Sequence, residues 1–213
     1  MSESRPRSLS KSIPENTNEH FQQLLDQMLA EPARQKEIEQ EILATFSAPR
    51  AILVLDMSGF SRITRLHGIV AFLLMIYQMR KLCTPIIERH EGTLVKAEAD
   101  NLFCLFTDVK DAVEASREIM ERLEVINTRQ PADRQILACI GIGYGPTLYV
   151  GEEDLFGDEM NVACKLGEDV AKQGDILLSP EALAQLGEEG AAAPKGAVSI
   201  SGLVLEYRNL RVR

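Results

Sequence analysis

The sequence predicts an α+β fold built on a ferredoxin-like βαββαβ core, with helices before the core and additional strands after it. From Ala51 onward, apolar strand-like runs alternate with helical repeats in the order β-α-β-β-α-β. Two amphipathic helical stretches precede this region, and further strand-like segments follow it. An apolar fraction of 45% in 213 residues is sufficient for an ordinary globular core.

The composition divides the chain into three regions. Residues 1–16 are rich in Ser, Pro and charge without periodicity, and are predicted to be disordered. Residues 17–49 form two short amphipathic helices separated at Pro32, which lacks the N–H that a continuous helix needs. Their apolar faces would pack either on the main domain or on a partner chain, as a dimerisation or regulatory segment. Residues 50–213 form the main domain.

The elements of the main domain follow from the spacing of apolar residues and turn signals. A first strand begins at Ala51, and the helical stretch after it breaks near Gly68. A hairpin with a tight turn at Asp100–Asn101 comes next. The later elements are a helix over Asp111–Asn127, a strand over Gln135–Gly145, a helix over Asp158–Val170, a strand over Asp175–Ser179, a short helix after Pro180 and a closing hairpin over Ala197–Arg213.

Charge and cysteine usage exclude several functional classes. The net charge of −9 argues against a general binder of nucleic acid or anionic membranes, because such proteins need a basic surface. The four cysteines are scattered without a C-x-x-C pair, as expected for reduced thiols. There is no signal-peptide pattern, and the longest apolar run, Ile69 to Tyr77, is too short to span a bilayer. We therefore expect a cytoplasmic protein without a membrane span.

Two aspartates are the main candidates for chemistry. A buried strand ends at Asp56, directly before Ser58-Gly59 and a helix start with free backbone N–H groups. In the predicted core, Asp100 at the hairpin tip lies beside this strand end. The two carboxylates could therefore share one spot, as a two-metal phosphoryl-transfer site requires. The alternative is that both are ordinary turn or capping residues.

Three glycines mark a second unusual feature. Gly141, Gly143 and Gly145 are two residues apart on a predicted strand, so they face the same side of the sheet. The missing side chains allow close approach of another backbone or of a ligand.

Four ordered blocks of sequence resemble the class III nucleotidyl cyclases, the adenylate/guanylate cyclase catalytic domain. The similarity covers about Ala51 to Arg213, roughly three quarters of the chain. The blocks are Leu55-Asp-Met-Ser-Gly-Phe60, Val95-Lys-x-x-x-Asp100, Gly141-Ile-Gly-Tyr-Gly145 and Asp154-Leu-Phe-Gly-Asp-x-x-Asn161-Val-Ala-Cys-Lys165. The resemblance implies that residues 50–213 are a nucleotidyl cyclase catalytic domain of the class III type.

The resemblance assigns a triphosphate and metal site to the first block. Asp56, Met57 and Asp100 would hold two Mg²⁺ or Mn²⁺ ions, which help the ribose 3′-OH attack the α-phosphate. The backbone from Met57 through Ser58 and Gly59 to Phe60 would contact the β- and γ-phosphates. Pyrophosphate leaves and a 3′,5′-cyclic nucleotide forms, mainly through positioning and charge neutralisation.

The resemblance assigns base reading to Lys96 and Asp154. A Lys donor matches adenine N1 and an Asp acceptor matches the N6 amino group, so ATP is the expected substrate. By the same resemblance Asn161 orients the ribose, and Lys165, four residues later, stabilises transition-state charge. In the family the metal aspartates and the other groups come from different subunits, which implies a head-to-tail homodimer.

Three features depart from the family pattern: Ala99, Lys165 and the closing hairpin at Ser199-Ile-Ser-Gly202, where a phosphate-binding lysine of some family members is not obvious. Ala99 replaces a glycine, a mild change unless the position needs φ > 0 or close approach. Lys165 replaces an arginine and lacks its planar fork, so we expect an activity loss of about ten- to a hundredfold. Glu98 is unusual on this strand. The alternatives are therefore a cyclase acting on GTP or a pyrimidine triphosphate, or a degenerate cyclase fold that binds nucleotide or a partner without turnover.

Overall fold

The computed structural model describes residues 16–187, 193–200 and 203–210. Its strands form one eight-stranded sheet. The strand order is β2-β3-β1-β4-β6-β8-β7, and β5 pairs with β4 outside this path. The strands are β1 (Ser47–Ser58), β2 (Thr93–Glu98), β3 (Asn101–Phe106), β4 (Leu137–Val150), β5 (Asp154–Phe156), β6 (Ile176–Leu178), β7 (Lys195–Ile200) and β8 (Leu203–Asn209).

Seven α-helices accompany these strands in the described part of the chain. They are α1 (Asn18–Ala30), α2 (Gln35–Phe46), α3 (Phe60–His67), α4 (Ile69–Arg89), α5 (Val109–Asn127), α6 (Asp158–Cys164) and α7 (Pro180–Gln185). Gly68 separates α3 from α4 with φ +81, which confirms the predicted break. The helix predicted over Asp158–Val170 instead changes to a π-helical turn at Lys165–Val170.

The four central strands have the predicted ferredoxin-like arrangement. β1 pairs antiparallel with both β3 and β4, and β2 pairs antiparallel with β3. β6 then runs parallel to β4 and leads to the antiparallel pair β7–β8. The α+β prediction, with added C-terminal strands and N-terminal helices, is confirmed.

The two faces of the sheet bury different partners. The larger core lies against α4 and α5 and includes Leu53, Leu55, Met79 and Ile119. The opposite face of the sheet, which we call the site face, holds a smaller cluster of buried side chains. These are Ile52, Val54, Phe103, Leu105, Leu155 and Ala163. Side chains two residues apart on a strand lie on the same face of the sheet, so the side chain of Asp56 lies on the site face with that of Val54.

Helix α6 explains the glycine-rich strand. A Cβ on Gly141 would lie 2.2 Å from the carbonyl oxygen of Ala163, and one on Gly143 would lie 2.6 Å from that of Glu159. Such contacts are too short for any real side chain. Of the two alternatives, backbone approach is the one realised here: the glycines let α6 lie directly on β4.

The N-terminal helices pack on the end of β4. Leu24, Ile38 and Phe46 are buried with Val150, and Leu148 packs against the same group. The predicted disordered segment lies outside the described residues except for Asn16. Its side chain donates to the Tyr149 carbonyl (2.8 Å) and accepts from the Gly151 N–H (2.9 Å).

Helix α4 has a mixed environment. It buries Phe72, Ile76 and Cys83 in the larger core, while Val70 and Tyr77 are exposed. Of the helices that the structure describes, α4 alone has the length and apolar composition that a membrane crossing requires. Core helices commonly meet the same criterion, and α4 continues beyond the Ile69–Tyr77 run considered from the sequence.

Candidate functional site

The strand end of β1 and the tip of the β2–β3 hairpin bring Asp56 and Asp100 together. Asp56 pairs with Asn101 on β3 and with Cys139 on β4. The Met57 N–H donates to the Asp100 carbonyl at 3.2 Å, which fixes the hairpin tip against β1. The predicted juxtaposition of the two aspartates is therefore present within one chain.

Carboxylates crowd around Asp56. Burial, followed by the charges of Asp100 and Glu168, raises the pKa of Asp56 to about 6. Glu168 comes from the π-helical turn, and burial together with Asp169 and Asp100 also raises its pKa. These neighbouring carboxylates repel one another when ionised, and a bound divalent cation would relieve this repulsion.

The oxygen atoms at this position suit Mg²⁺ or Mn²⁺. Both metals prefer carboxylate and carbonyl oxygens. Asp56, Asp100 and the Met57 carbonyl could supply them. Within the described residues no three His, Cys, Asp or Glu side chains are arranged to hold a metal by themselves. A site with two carboxylates is nevertheless usual for Mg²⁺, because substrate phosphates and water complete its coordination.

The first turn of α3 offers backbone donors next to these carboxylates. Gly59 caps the helix with φ +104, and among the described residues no side chain hydrogen-bonds to this end. The first N–H groups are therefore open to water or to phosphate oxygens. The expected phosphate contact of the whole Met57–Phe60 backbone needs one correction. The Met57 N–H already donates to the Asp100 carbonyl, so it is not available to a phosphate.

The hairpin turn itself differs from its predicted position. Ala99 and Asp100 form the two-residue turn, one position earlier than expected, and Asn101 is the first residue of β3. Ala99 has φ +46, in the region that favours glycine. The replacement of glycine at this position is therefore a strained substitution rather than a mild one. Arg80 of α4 donates to the Ala99 carbonyl at 2.9 Å and holds the turn in place.

Lys96 and Asp154 also meet within one chain. Lys96 lies on β2, and Asp154 opens β5, which β4 holds through the Val150–Asp154 pairing. The distance from Lys96 Nζ to Asp154 Oδ1 is 3.6 Å. Glu98 is nearer, with 2.8 Å between Lys96 Nζ and Glu98 Oε1. The proposed base-reading pair is therefore a group of three charges.

Asn161 lies on α6, and Lys165, four residues later, opens the π-helical turn that follows α6. The backbone N–H of Lys165 donates to the Asn161 carbonyl, which keeps the predicted i, i+4 relation. Asn161 is exposed and Lys165 half-buried. Among the described residues no side-chain hydrogen bond or ion pair joins either of them to the Asp56–Asp100 pair or to Lys96.

Three further residues shape the site and were not identified from the sequence. Arg80 anchors the turn, and Asn101 Nδ2 donates to Glu168 Oε1 at 3.1 Å. Glu168 thereby links the hairpin tip to the turn that follows Lys165. The only sequence signal was proximity: Asn101 is next to Asp100, and Glu168 is three residues after Lys165. Arg80 lies in a distant helix and gave no signal.

Several known proteins are similar to this chain, although no protein-family model matches it. A putative adenylate cyclase 3 of Rhizobium meliloti is 29% identical over 129 residues, which are 61% of this chain and 22% of that protein. The chain spans about a fifth of the length of the curated relatives it matches.

Solved structures with this fold include proteins named as adenylyl cyclases and others named as guanylyl cyclases. An adenylate/guanylate cyclase/hydrolase from Silicibacter pomeroyi superposes with a TM-score of 0.66 at 24% identity, covering 78% of this chain and 98% of that one. The guanylyl cyclase Cya2 has a TM-score of 0.65 at 17% identity, covering 76% and 91%. At these identities the likeness establishes the fold, and the choice of base has to be argued from the residues.

Proposed function

We propose that this chain, which has the fold of the class III adenylate/guanylate cyclase domain, is an adenylate cyclase that converts ATP to 3′,5′-cyclic AMP and pyrophosphate. The observation that supports this most directly is the meeting of Asp56 and Asp100 at the tip fixed by the Met57–Asp100 hydrogen bond. The Lys96–Asp154 pair offers a donor and an acceptor that match adenine.

In the proposed reaction the ribose 3′-oxygen forms a bond to the α-phosphorus. The bond from that phosphorus to the bridging oxygen breaks, pyrophosphate leaves, and the hydroxyl proton passes to solvent. Asp56 and Asp100 would hold Mg²⁺ or Mn²⁺, which supplies charge neutralisation and lowers the pKa of the 3′-hydroxyl. The uncapped N–H groups at the start of α3 bind phosphate oxygens.

The remaining groups position the nucleotide. Lys96 donates to the base and Asp154 accepts from it, while Asn161 orients the ribose. Lys165 places a positive charge near the phosphate that carries charge in the transition state. We further propose that two chains associate head-to-tail, so that the aspartates of one chain act with Lys96, Asp154, Asn161 and Lys165 of the other.

Two observations support other candidates. The guanylyl cyclase among the similar structures supports a GTP-specific enzyme with the same chemistry. The strained Ala99 and the substituted Lys165 support a nucleotide-binding module without turnover. The GTP-specific enzyme would form a cyclic product from GTP and not from ATP, and the binding module would form no cyclic product.

The test is a turnover assay with pure protein and each of ATP, GTP, CTP and UTP, with Mn²⁺ or Mg²⁺, and product identification by mass. We expect cyclic AMP, and a loss of at least about a hundredfold in Asp56→Asn and Asp100→Asn. Asp26→Asn on the exposed surface of α1 is the matched control and should act like wild type. Mn²⁺ binding measured without nucleotide should weaken in the first two variants only.

Each other outcome identifies a different function. Cyclic product from GTP alone would replace the base assignment and keep the mechanism. Bound nucleotide without any product would indicate the binding module. Full activity in Asp56→Asn would contradict the metal assignment.

A further inference from the structure

Strand β2 presents Lys96 and Glu98 on the same side of the sheet. Lys96 pairs with Phe103, which belongs to the site face. Glu98 pairs with Asn101, which lies two residues before Phe103 on β3 and therefore on the same face of the sheet. A register shift between Leu94 and Lys96 adds one residue to β2 just before this pair. Such bulges redirect the side chains that follow them. Here Lys96 directly follows the bulge, and its ammonium group lies within 3.6 Å of Asp154 on β5.

Glu98 is the closest charged partner of Lys96. The 2.8 Å contact with Glu98 Oε1 is a charge-assisted hydrogen bond, whereas the 3.6 Å separation from Asp154 Oδ1 is a looser ion pair. The hydrogen bond that Lys96 donates to Glu98 is also the largest cause of the raised pKa of Lys96. Lys96 therefore stays charged, with its ammonium group between two carboxylates.

A lysine held this way has fewer orientations to offer a ligand. Its four-carbon stem is flexible, and its ammonium group has three donors and no acceptor. With one N–H bonded to Glu98 and a second drawn towards the Asp154 carboxylate, a single donor is left for a ligand. That donor matches a ring nitrogen that accepts, as in adenine, and opposes the N1–H of guanine.

We propose that Glu98 is a positioning residue for base selection, which holds Lys96 so that its free N–H meets a ring acceptor next to an amino group. This inference depends on the proposed cyclase function and adds a residue to it. Adenine has this pattern at N1 and N6, and cytosine has it at N3 and N4. Guanine and uracil present the reverse pattern, so Glu98 favours ATP over GTP.

The test compares wild type, Glu98→Gln, Lys96→Gln and the double variant with ATP and with GTP. Removing one exposed ion pair corresponds to a factor of about two to five in affinity. We expect Glu98→Gln to raise KM for ATP by that factor, to leave kcat within about twofold, and to lower the ATP-to-GTP ratio of kcat/KM by a similar factor. Glu98→Asp, which retains the charge, should recover part of the preference.

Two comparisons separate positioning from a general structural effect. In the Lys96→Gln background, Glu98→Gln should have no further effect, because Glu98 acts through Lys96. Glu37→Gln removes a similarly exposed ion pair between Glu37 of α2 and Arg34, the residue before α2, and should match wild type in every parameter.

The outcomes also separate this inference from the proposed function. If wild type cyclises no nucleotide, the function itself is wrong. If wild type is active and Glu98→Gln keeps its KM and its ATP preference, the role of Glu98 is wrong. A fall in kcat at constant KM, or an equal effect with Lys96 absent, would also contradict it.

Discussion

Replacing Ala99 by Gly should stabilise the protein, because Ala99 has φ +46 in the turn that carries Asp100. An L-residue in the left-handed region costs about 1–2 kcal/mol. Glycine removes this cost but gives the unfolded chain more freedom, which costs about 0.4–1 kcal/mol. The expected net gain in the free energy of unfolding is about 0.5–1 kcal/mol. The corresponding rise in Tm is about 1–4 °C.

Urea denaturation at fixed protein concentration measures this gain, because any dimer would make stability depend on concentration. The midpoint should rise while the m-value stays constant. Ala97→Gly, two residues earlier within β2, is the matched control and should lose about 0.5–1 kcal/mol or more. A loss of stability in Ala99→Gly, similar to that in Ala97→Gly, would refute the reasoning from backbone strain.

Three more predictions concern charge and packing. Lys165→Arg should raise kcat about ten- to a hundredfold with little change in KM, whereas Lys172→Arg on the exposed surface should change neither. Burial raises the pKa of Asp56 to about 6, above its unfolded value near 4, so the folded state binds the proton more tightly. As pH rises from about 4 to 6, Asp56 should therefore lower the free energy of unfolding of the metal-free protein, so the slope against pH should be more negative in wild type than in Asp56→Asn; equal slopes would contradict this. Phe21→Ala should cost about 2 kcal/mol by urea denaturation, because Phe21 packs against Phe46 and Phe156, while the exposed Leu29→Ala should stay within about 0.5 kcal/mol.

The sequence was sufficient to predict the βαββαβ order because the apolar periods of the strands and helices are clear. It also predicted that Asp56 and Asp100 meet, since the core topology places the hairpin next to the first strand. The one-residue error in the turn arose from reading Asp100-Asn101 as the turn pair. The strand pairing of Asn101 with both Asp56 and Glu98 competes with that preference and prevails.

Long-range side-chain contacts could not be predicted. The hydrogen bond from Arg80 to the Ala99 carbonyl joins residues from separate elements and has no local pattern. The π-helical turn after Cys164 follows from tertiary packing, since Gly167 lies against the Val54 carbonyl and Gly141. The position of Glu168 near Asp56 depends on that turn. Such positions are decided by packing against the sheet rather than by local propensity.

The short hairpin of β2 and β3 carries Lys96 and Asp100 only four residues apart, with Arg80 fastening its tip. In the proposed head-to-tail dimer these two residues serve different active sites. A shift of the hairpin caused by a base bound at Lys96 would then move a metal ligand of the other site. Ligand binding at the two sites would be thermodynamically coupled, and this coupling must be reciprocal. ATP saturation curves with a Hill coefficient different from one would be the consequence, and Arg80→Ala should bring that coefficient towards one.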